Sequence, residues 1–200
     1  MELTDEWWSN RYQANDSPWD AGAVTPPLKN YIDQLADKSI AILIPGCGNG
    51  YEAEYLLQQG FTNITLTDIS TTLCAKLEAK FAAHRSKEIN IICGDFFALQ
   101  GSYDLVIEQT FFCALDPGLR TAYAEKIYSL LKPGGKLTGV LFNCAFQNNP
   151  PFGGSESEYR QLFQQKFTIA VLENCYNSIA SRSGKELFIK LVKERTGAGN

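Results

Sequence analysis

Gly46, Gly48 and Gly50 close a short apolar run at 40–45, and Asp68 closes the next one at 64–67. Glycines without a Cβ let the backbone turn sharply and admit a ligand close to the main chain. An acid at the end of the following strand can accept hydrogen bonds from a ribose diol. Together these residues predict a nucleoside-binding crevice at the carboxyl ends of parallel strands. Gly94-Asp95-Phe96 closes a third apolar run, where an acid can meet an adenine amino group and an aromatic can cover the ring.

The elements that must hold these residues follow from hydrophobic period. Apolar runs at 40–44, 63–67, 89–93, 104–108 and 136–142 predict strands. Helical patterns at 51–59, 70–84 and 118–131 alternate with them, which predicts an α/β fold with a parallel sheet and helices on both faces. Leu131-Lys-Pro-Gly-Gly-Lys-Leu137 reads as a helix ending at a Gly stop and entering a strand. A helix near 155–166 then leads to strands at 168–175 and 187–192, which should pair antiparallel at one sheet edge. The expected fold is doubly wound, mostly parallel and of about seven strands, the last antiparallel. Residues 1–39 differ: they hold all three tryptophans, a helix near 4–13, a turn at Ser17-Pro-Trp-Asp20, and a second helix from Pro26 started by Thr25-Pro26. We read 1–39 as an arm, 40–195 as the core and 196–200 as a frayed tail of one domain.

Two classes of enzyme use such a crevice. A dinucleotide dehydrogenase wants G-x-G-x-x-G, with pyrophosphate on the helix N-terminus. Here the register is Gly46-x-Gly48-x-Gly50, and Tyr51 takes the place of the third glycine. A chain of 200 residues also leaves no room for a separate substrate domain. S-adenosyl-L-methionine carries no phosphate and suits this register better. A nicotinamide-dependent oxidoreductase and a non-catalytic binder of the donor are the rival readings.

Composition narrows the partners. The net charge of −4 argues against a nonspecific nucleic-acid binder. No apolar run reaches the length of a membrane span, and the acidic start lacks a secretory apolar region. Six cysteines form no C-x-x-C pair, and the single histidine, His84, rules out a two-histidine metal centre. Buried free thiols, a reducing and so cytoplasmic compartment and no metal are the expectation, and a monomer is expected separately.

Trp8-x-x-x-Tyr12, Ser17-Pro-Trp-Asp-x-Gly22, Thr25-Pro26, Ile44-Pro-Gly-Cys-Gly48 and Phe111-Phe-Cys-Ala-Leu-Asp-Pro-Gly-Leu-Arg120 together resemble the thiopurine S-methyltransferase family, most nearly its halide/thiol methyltransferase branch. Pro150-Pro-Phe152 and Arg182-Ser-Gly-Lys-Glu186 match as well. The resemblance covers nearly the whole chain and implies a Rossmann-like class I methyltransferase whose arm covers the cofactor. It implies donor contacts at Trp8, Tyr12, Trp19, Gly46, Gly48, Asp68, Asp95, Phe96 and Gln109. Two positions depart from the family: Tyr12 stands where tryptophan is usual, and Glu108-Gln109 replaces the Asp-Arg pair of the thiopurine-specific branch. Activity on aromatic thiols therefore does not carry over. Asn149-Pro-Pro-Phe152 mimics the signature of amino methyltransferases, but it follows the fifth strand rather than the fourth.

The residues agree with that implication. A sulfonium is a cation, and aromatic faces attract cations. A thiol, sulfide, thiocyanate or halide acceptor needs little deprotonation, since thiols titrate near ~8.5. Alignment alone can then contribute ~7–11 kcal/mol. Gln109, Tyr176 and Arg182 are the acceptor-pocket candidates, although an arginine in a Ser/Gly loop is more often solvated. The remaining alternative keeps the donor and takes another small oxygen, nitrogen, selenium or tellurium nucleophile.

Overall fold

The computed structural model describes residues 3–147 and 149–195, so the expected frayed tail at 196–200 lies outside the described residues. The chain forms two compact units, one up to Leu99 and one from Gln100 onward. Its seven strands make a mostly parallel sheet.

The first unit begins with α1 (Asp5–Gln13), capped by Thr4, whose side chain accepts from the Trp7 amide at 3.4 Å. α2 (Pro26–Asp33) starts with proline in its first turn, where the missing N–H costs nothing. β1 (Ile42–Pro45) is buried at every position, as a parallel strand covered on both faces should be. α3 (Tyr51–Gln58), β2 (Ile64–Asp68), α4 (Thr71–Lys80) and β3 (Ile89–Cys93) follow. β2 lies between β1 and β3 and is parallel to both. Leu73, Leu77 and Phe81 are buried in helical spacing, but α4 ends at Lys80, short of the expected 84. Residues 81–84 unwind into turns, and the chain reverses at Ser86 with φ +57°.

The second unit holds β4 (Tyr103–Gln109), α5 (Arg120–Leu130), β5 (Leu131–Phe142), α6 (Glu156–Phe163), β6 (Thr168–Asn174) and β7 (Glu186–Val192). β4 and β5 are parallel, and β7 runs antiparallel between β5 and β6. The expected Gly stop after α5 is corrected here. α5 ends at Leu130, and Gly134 and Gly135 already belong to β5. Glycine is needed because a Cβ on Gly135 would lie 2.8 Å from the Lys132 carbonyl oxygen and 3.0 Å from that of Tyr103. The same two residues hold the end of the sheet: the Gly134 amide donates to Lys193 O at 2.7 Å, and the Lys193 amide donates to Gly135 O at 2.9 Å.

Candidate functional site

After β1 the chain turns through Gly46, Gly48 and Gly50, with φ of +55°, +51° and +72°. These are left-handed conformations that favour glycine. The turn is tied to the end of β2. The Cys47 amide donates to Thr67 O at 3.2 Å, and the Gly48 amide donates to the Asp68 carboxylate. Asp68 Oδ1 also accepts from the Ser70 amide at 3.0 Å. Desolvation pushes the Asp68 carboxyl up to about 6, and the amides of Ser70, Gly48 and Ile69 oppose that rise. Asp68 is not the cap of α4; Ser70 is, accepting from the Leu73 amide at 3.1 Å.

The arm is fastened to this frame at several points. Asp5 accepts from the Thr71 amide at 2.8 Å, and Gln13 Nε2 donates to Thr72 Oγ1 at 3.0 Å. The Ser9 hydroxyl and the Thr71 amide hold the Asp5 carboxyl below its ordinary range. Lys76 Nζ donates to Tyr12 O at 3.1 Å. Asp20 reaches the glycine turn itself: Oδ2 accepts from Asn49 Nδ2 and, at 3.3 Å, from the Tyr51 hydroxyl.

These ties collect the aromatic side chains. Trp8 meets Trp19 edge-to-face at 5.4 Å, and Tyr12 meets Trp19 at 5.9 Å. Tyr12 is buried, with its hydroxyl 3.7 Å from the place a Cβ would take on Gly48. Burial, and then the charge of Asp68, raises the Tyr12 hydroxyl pKa, so it stays protonated. Trp8 and Trp19 are half-buried. The Arg11 guanidinium stacks 4.9 Å from Trp7 and 4.7 Å from Trp19, so one face of the arm already holds a cation.

Asp95 is exposed and accepts from the Phe97 amide at 2.8 Å, opening a 3₁₀ turn over Phe96–Ala98. Phe96 is buried and packs edge-to-face on Phe97 at 5.3 Å.

The second unit carries the remaining candidates. Gln109 ends β4 and is half-buried. Tyr176 is 89 % exposed, so the structure gives it no enclosing role. Arg182 is 8 % exposed rather than solvated. It pairs with buried Glu186 at 3.5 Å and lies 5.8 Å from the Phe142 ring. Sequence reasoning noted Glu108 only as a departure from the family and missed its place: it is fully buried. Its Oε1 accepts from the Phe111 and Phe112 amides at 2.8 and 2.9 Å, and its Oε2 from the Tyr123 hydroxyl at 2.7 Å. It also missed Asp5, Ser9, Asp20 and Asn49. Of these, Asp20 and Asn49 stood in noted motifs, but neither was given a role.

Left-handed glycines leave main chain uncovered beside a half-buried carboxylate, with tryptophan and tyrosine edges close by. That donor set fits a nucleoside bearing a positive charge. The model of the thiopurine S-methyltransferase (TPMT) family matches residues 3–196. The chain belongs to the thiopurine S-methyltransferase family.

As a member of that family it is a methyltransferase that uses S-adenosyl-L-methionine, and the nicotinamide reading is set aside. A probable thiol methyltransferase 2 of Arabidopsis thaliana is 31% identical over 78% of this chain and 70% of its own. A thiocyanate methyltransferase 1 of Brassica oleracea is 29% identical over 90% and 81%. A thiopurine S-methyltransferase of Vibrio cholerae is 31% identical over 79% and 80%. Among solved structures, a TehB-like S-adenosylmethionine-dependent methyltransferase from Corynebacterium glutamicum covers 95% of this chain and 98% of its own, with TM-score 0.68 and 17% identity. A magnesium protoporphyrin IX methyltransferase from Synechocystis, with S-adenosylhomocysteine bound, covers 96% and 98% with TM-score 0.72 and 16% identity. These two likenesses show the Rossmann-like class I fold. Among the described residues no helix is long and apolar enough to cross a membrane, and no group of three or more His, Cys, Asp or Glu could hold a metal.

Proposed function

We propose that this chain methylates a small, soft anion: a thiolate, hydrosulfide, thiocyanate or halide. The names of the thiol and thiocyanate relatives support this reading. One observation carries it. Both buried acids of the second unit are engaged: Glu108 accepts three hydrogen bonds, and Glu186 is paired with Arg182. His84, the one histidine, faces Glu88 at 3.2 Å in the first unit. With both of these buried acids engaged and the histidine paired in the first unit, an acceptor that arrives already ionised suits the chain.

When bound, S-adenosyl-L-methionine supplies an electrophilic methyl group on a sulfonium. In this reading Gly46 and Gly48 give main-chain access, Asp68 and Asp95 accept from the nucleoside, Phe96 backs its base, and Trp8, Tyr12 and Trp19 exclude water. Gln109 carries over from the family pattern as a donor contact. Of the acceptor candidates, Arg182 is favoured over Tyr176 because its charge is buried. The reading extends to residues 1–200 acting as one domain, and to a monomer in the cytoplasm. Six cysteines without disulfides support a reducing compartment.

The test is turnover. Purified protein, S-adenosyl-L-methionine and a panel of hydrosulfide, iodide, thiocyanate, small thiols and oxygen or nitrogen nucleophiles are mixed, and S-adenosylhomocysteine is measured. Turnover confined to the soft anions is expected. Silence with all of them overturns the acceptor assignment.

A further inference from the structure

Two cysteines converge on the main chain of Asp68. In the register of β2 and β3, Asp68 is opposite Cys93. The Asp68 carbonyl oxygen accepts the amide of Gly94, next to Cys93, at 2.9 Å. The same oxygen accepts the Cys74 thiol from α4 at 3.5 Å. The Cys93 side chain lies near enough to Cys74 to add to the rise that burial gives the Cys74 thiol pKa. Cys93 is exposed and Cys74 is buried, so one thiol meets solvent and the other waits behind it. Cys47, also nearby, is buried. Burial raises the thiol pKa of both Cys47 and Cys74, and what singles out Cys74 is that it shares the Asp68 main chain with the exposed Cys93.

We propose that Cys74 and Cys93 form a reversible disulfide when the protein meets a peroxide, and that this bond weakens binding of the methyl donor. The Cys93 thiolate attacks one peroxide oxygen, the O–O bond breaks, and hydroxide leaves and takes up the thiol proton as water. Cys93 becomes a sulfenic acid. The Cys74 thiolate then attacks the Cys93 sulfur; the S–O bond breaks and a second water departs with the Cys74 proton. Two thiols and one hydrogen peroxide give one disulfide and two waters, sulfur being oxidised and peroxide oxygen reduced. Closing an S–S bond of ~2.05 Å removes the Cys74 thiol from the Asp68 carbonyl and ties the start of α4 to the turn before Asp95. The effect on the donor rests on the reading of Asp68 and Asp95 as donor contacts.

The full chain is treated with hydrogen peroxide or with dithiothreitol, digested, and mapped by mass spectrometry with fragmentation. S-adenosylhomocysteine binding is measured by calorimetry on the same samples. The expected result is a joined peptide pair bearing a 74–93 bond, lighter by two hydrogens and reversed by dithiothreitol. It is absent in Cys93→Ser, a substitution at an exposed position, and in Cys74→Ser. Oxidised wild type should bind about fivefold more weakly or worse, the lower end of coupling between linked sites. Oxidised Cys93→Ser should bind like the reduced protein. Sulfinic acid at Cys93 with no cross-link, or a cross-link with unchanged affinity, overturns the proposal. Failure of the reduced protein to bind S-adenosylhomocysteine refutes the donor-site reading instead, and the mapped bond then stands or falls alone.

Discussion

Ser9 Oγ lies 2.9 Å from Ser70 Oγ, and this buried contact is one of those that join the arm to α4, whose N-cap is Ser70. The two hydroxyls have separable duties. Ser70 caps α4 by accepting the Leu73 amide at 3.1 Å, whereas Ser9 donates to Asp5 at 2.7 Å and takes the Thr72 amide only at a longer 3.3 Å. Ser70→Ala should cost about 1 kcal/mol through the lost cap, read from urea midpoints. Ser9→Ala should lower the midpoint by less than Ser70→Ala does and should weaken S-adenosylhomocysteine binding. Equal loss of stability in both variants would refute this division.

Asp20 fastens the arm to the glycine turn through Asn49 and Tyr51. Asp20→Ala should free the segment around Trp19 while leaving the sheet intact. Limited proteolysis should cut the variant within its first twenty residues sooner than wild type, and donor titration should show weaker binding.

Asp68 makes donor affinity depend on pH. With its carboxyl at about 6, it is ionised at pH 8 and largely protonated at pH 5. Ribose hydroxyls donate better to the ionised form, and hydrogen bonds to charged groups contribute ~1.5–3 kcal/mol. S-adenosylhomocysteine affinity should therefore fall as pH drops through about 6. Asp68→Asn should bind at least ~10-fold more weakly at pH 8 and lose the pH dependence. Calorimetry at the two pH values decides.

Glu108 acts on stability. Burial pushes its carboxyl up to about 7, despite the amides of Phe112 and Phe111 and the Tyr123 hydroxyl. Its folded value is raised above the ordinary 4.5, so the folded state holds the proton more tightly. Stability from this group is fully present below about pH 4.5 and is lost as pH rises through about 7, by a few kcal/mol at most. Glu108→Gln should flatten thermal stability between pH 5 and pH 8. An unchanged slope would show that the carboxyl is not so perturbed.

Gly139 and Gly184 offer a contrast. A Cβ on Gly139 would fall 1.9 Å from the Glu108 carbonyl oxygen, whereas Gly184 has open space and a φ of +73°. Gly184→Ala should cost ~1–2 kcal/mol for its left-handed backbone. Gly139→Ala forces neighbouring strands apart and should exceed the ~1–3 kcal/mol of ordinary overpacking. Soluble yield and melting temperature check both.

Much of this was legible in the chain because period and punctuation agreed. The all-apolar run at 42–45, the left-handed glycines and the acid at 68 each had one cheap structural solution. Contacts between distant polar residues were not legible. No local pattern says that Ser9 will meet Ser70, or that Glu108 will be the carboxylate accepting from Tyr123. Arg182 illustrates the limit: its Ser/Gly surroundings suggest solvent, but Glu186, four residues on, draws it inward. The Gly134-Gly135 pair misled because glycine marks both a helix stop and a close approach of strands. Only the partner strand, with Tyr103 O at 3.0 Å, distinguishes the two.

β7, the last strand in sequence, is the middle strand of the trio β5-β7-β6. During synthesis on the ribosome, β5 and β6 emerge with no hydrogen-bonding partner in common until Glu186–Val192 arrives. The second unit must therefore complete its sheet only after Glu186–Val192 has been made, while the first already has β1, β2 and β3 and can form as it leaves the exit tunnel. A nascent chain stalled before residue 186 would display two bare strand edges, the surfaces that chaperones exist to shield.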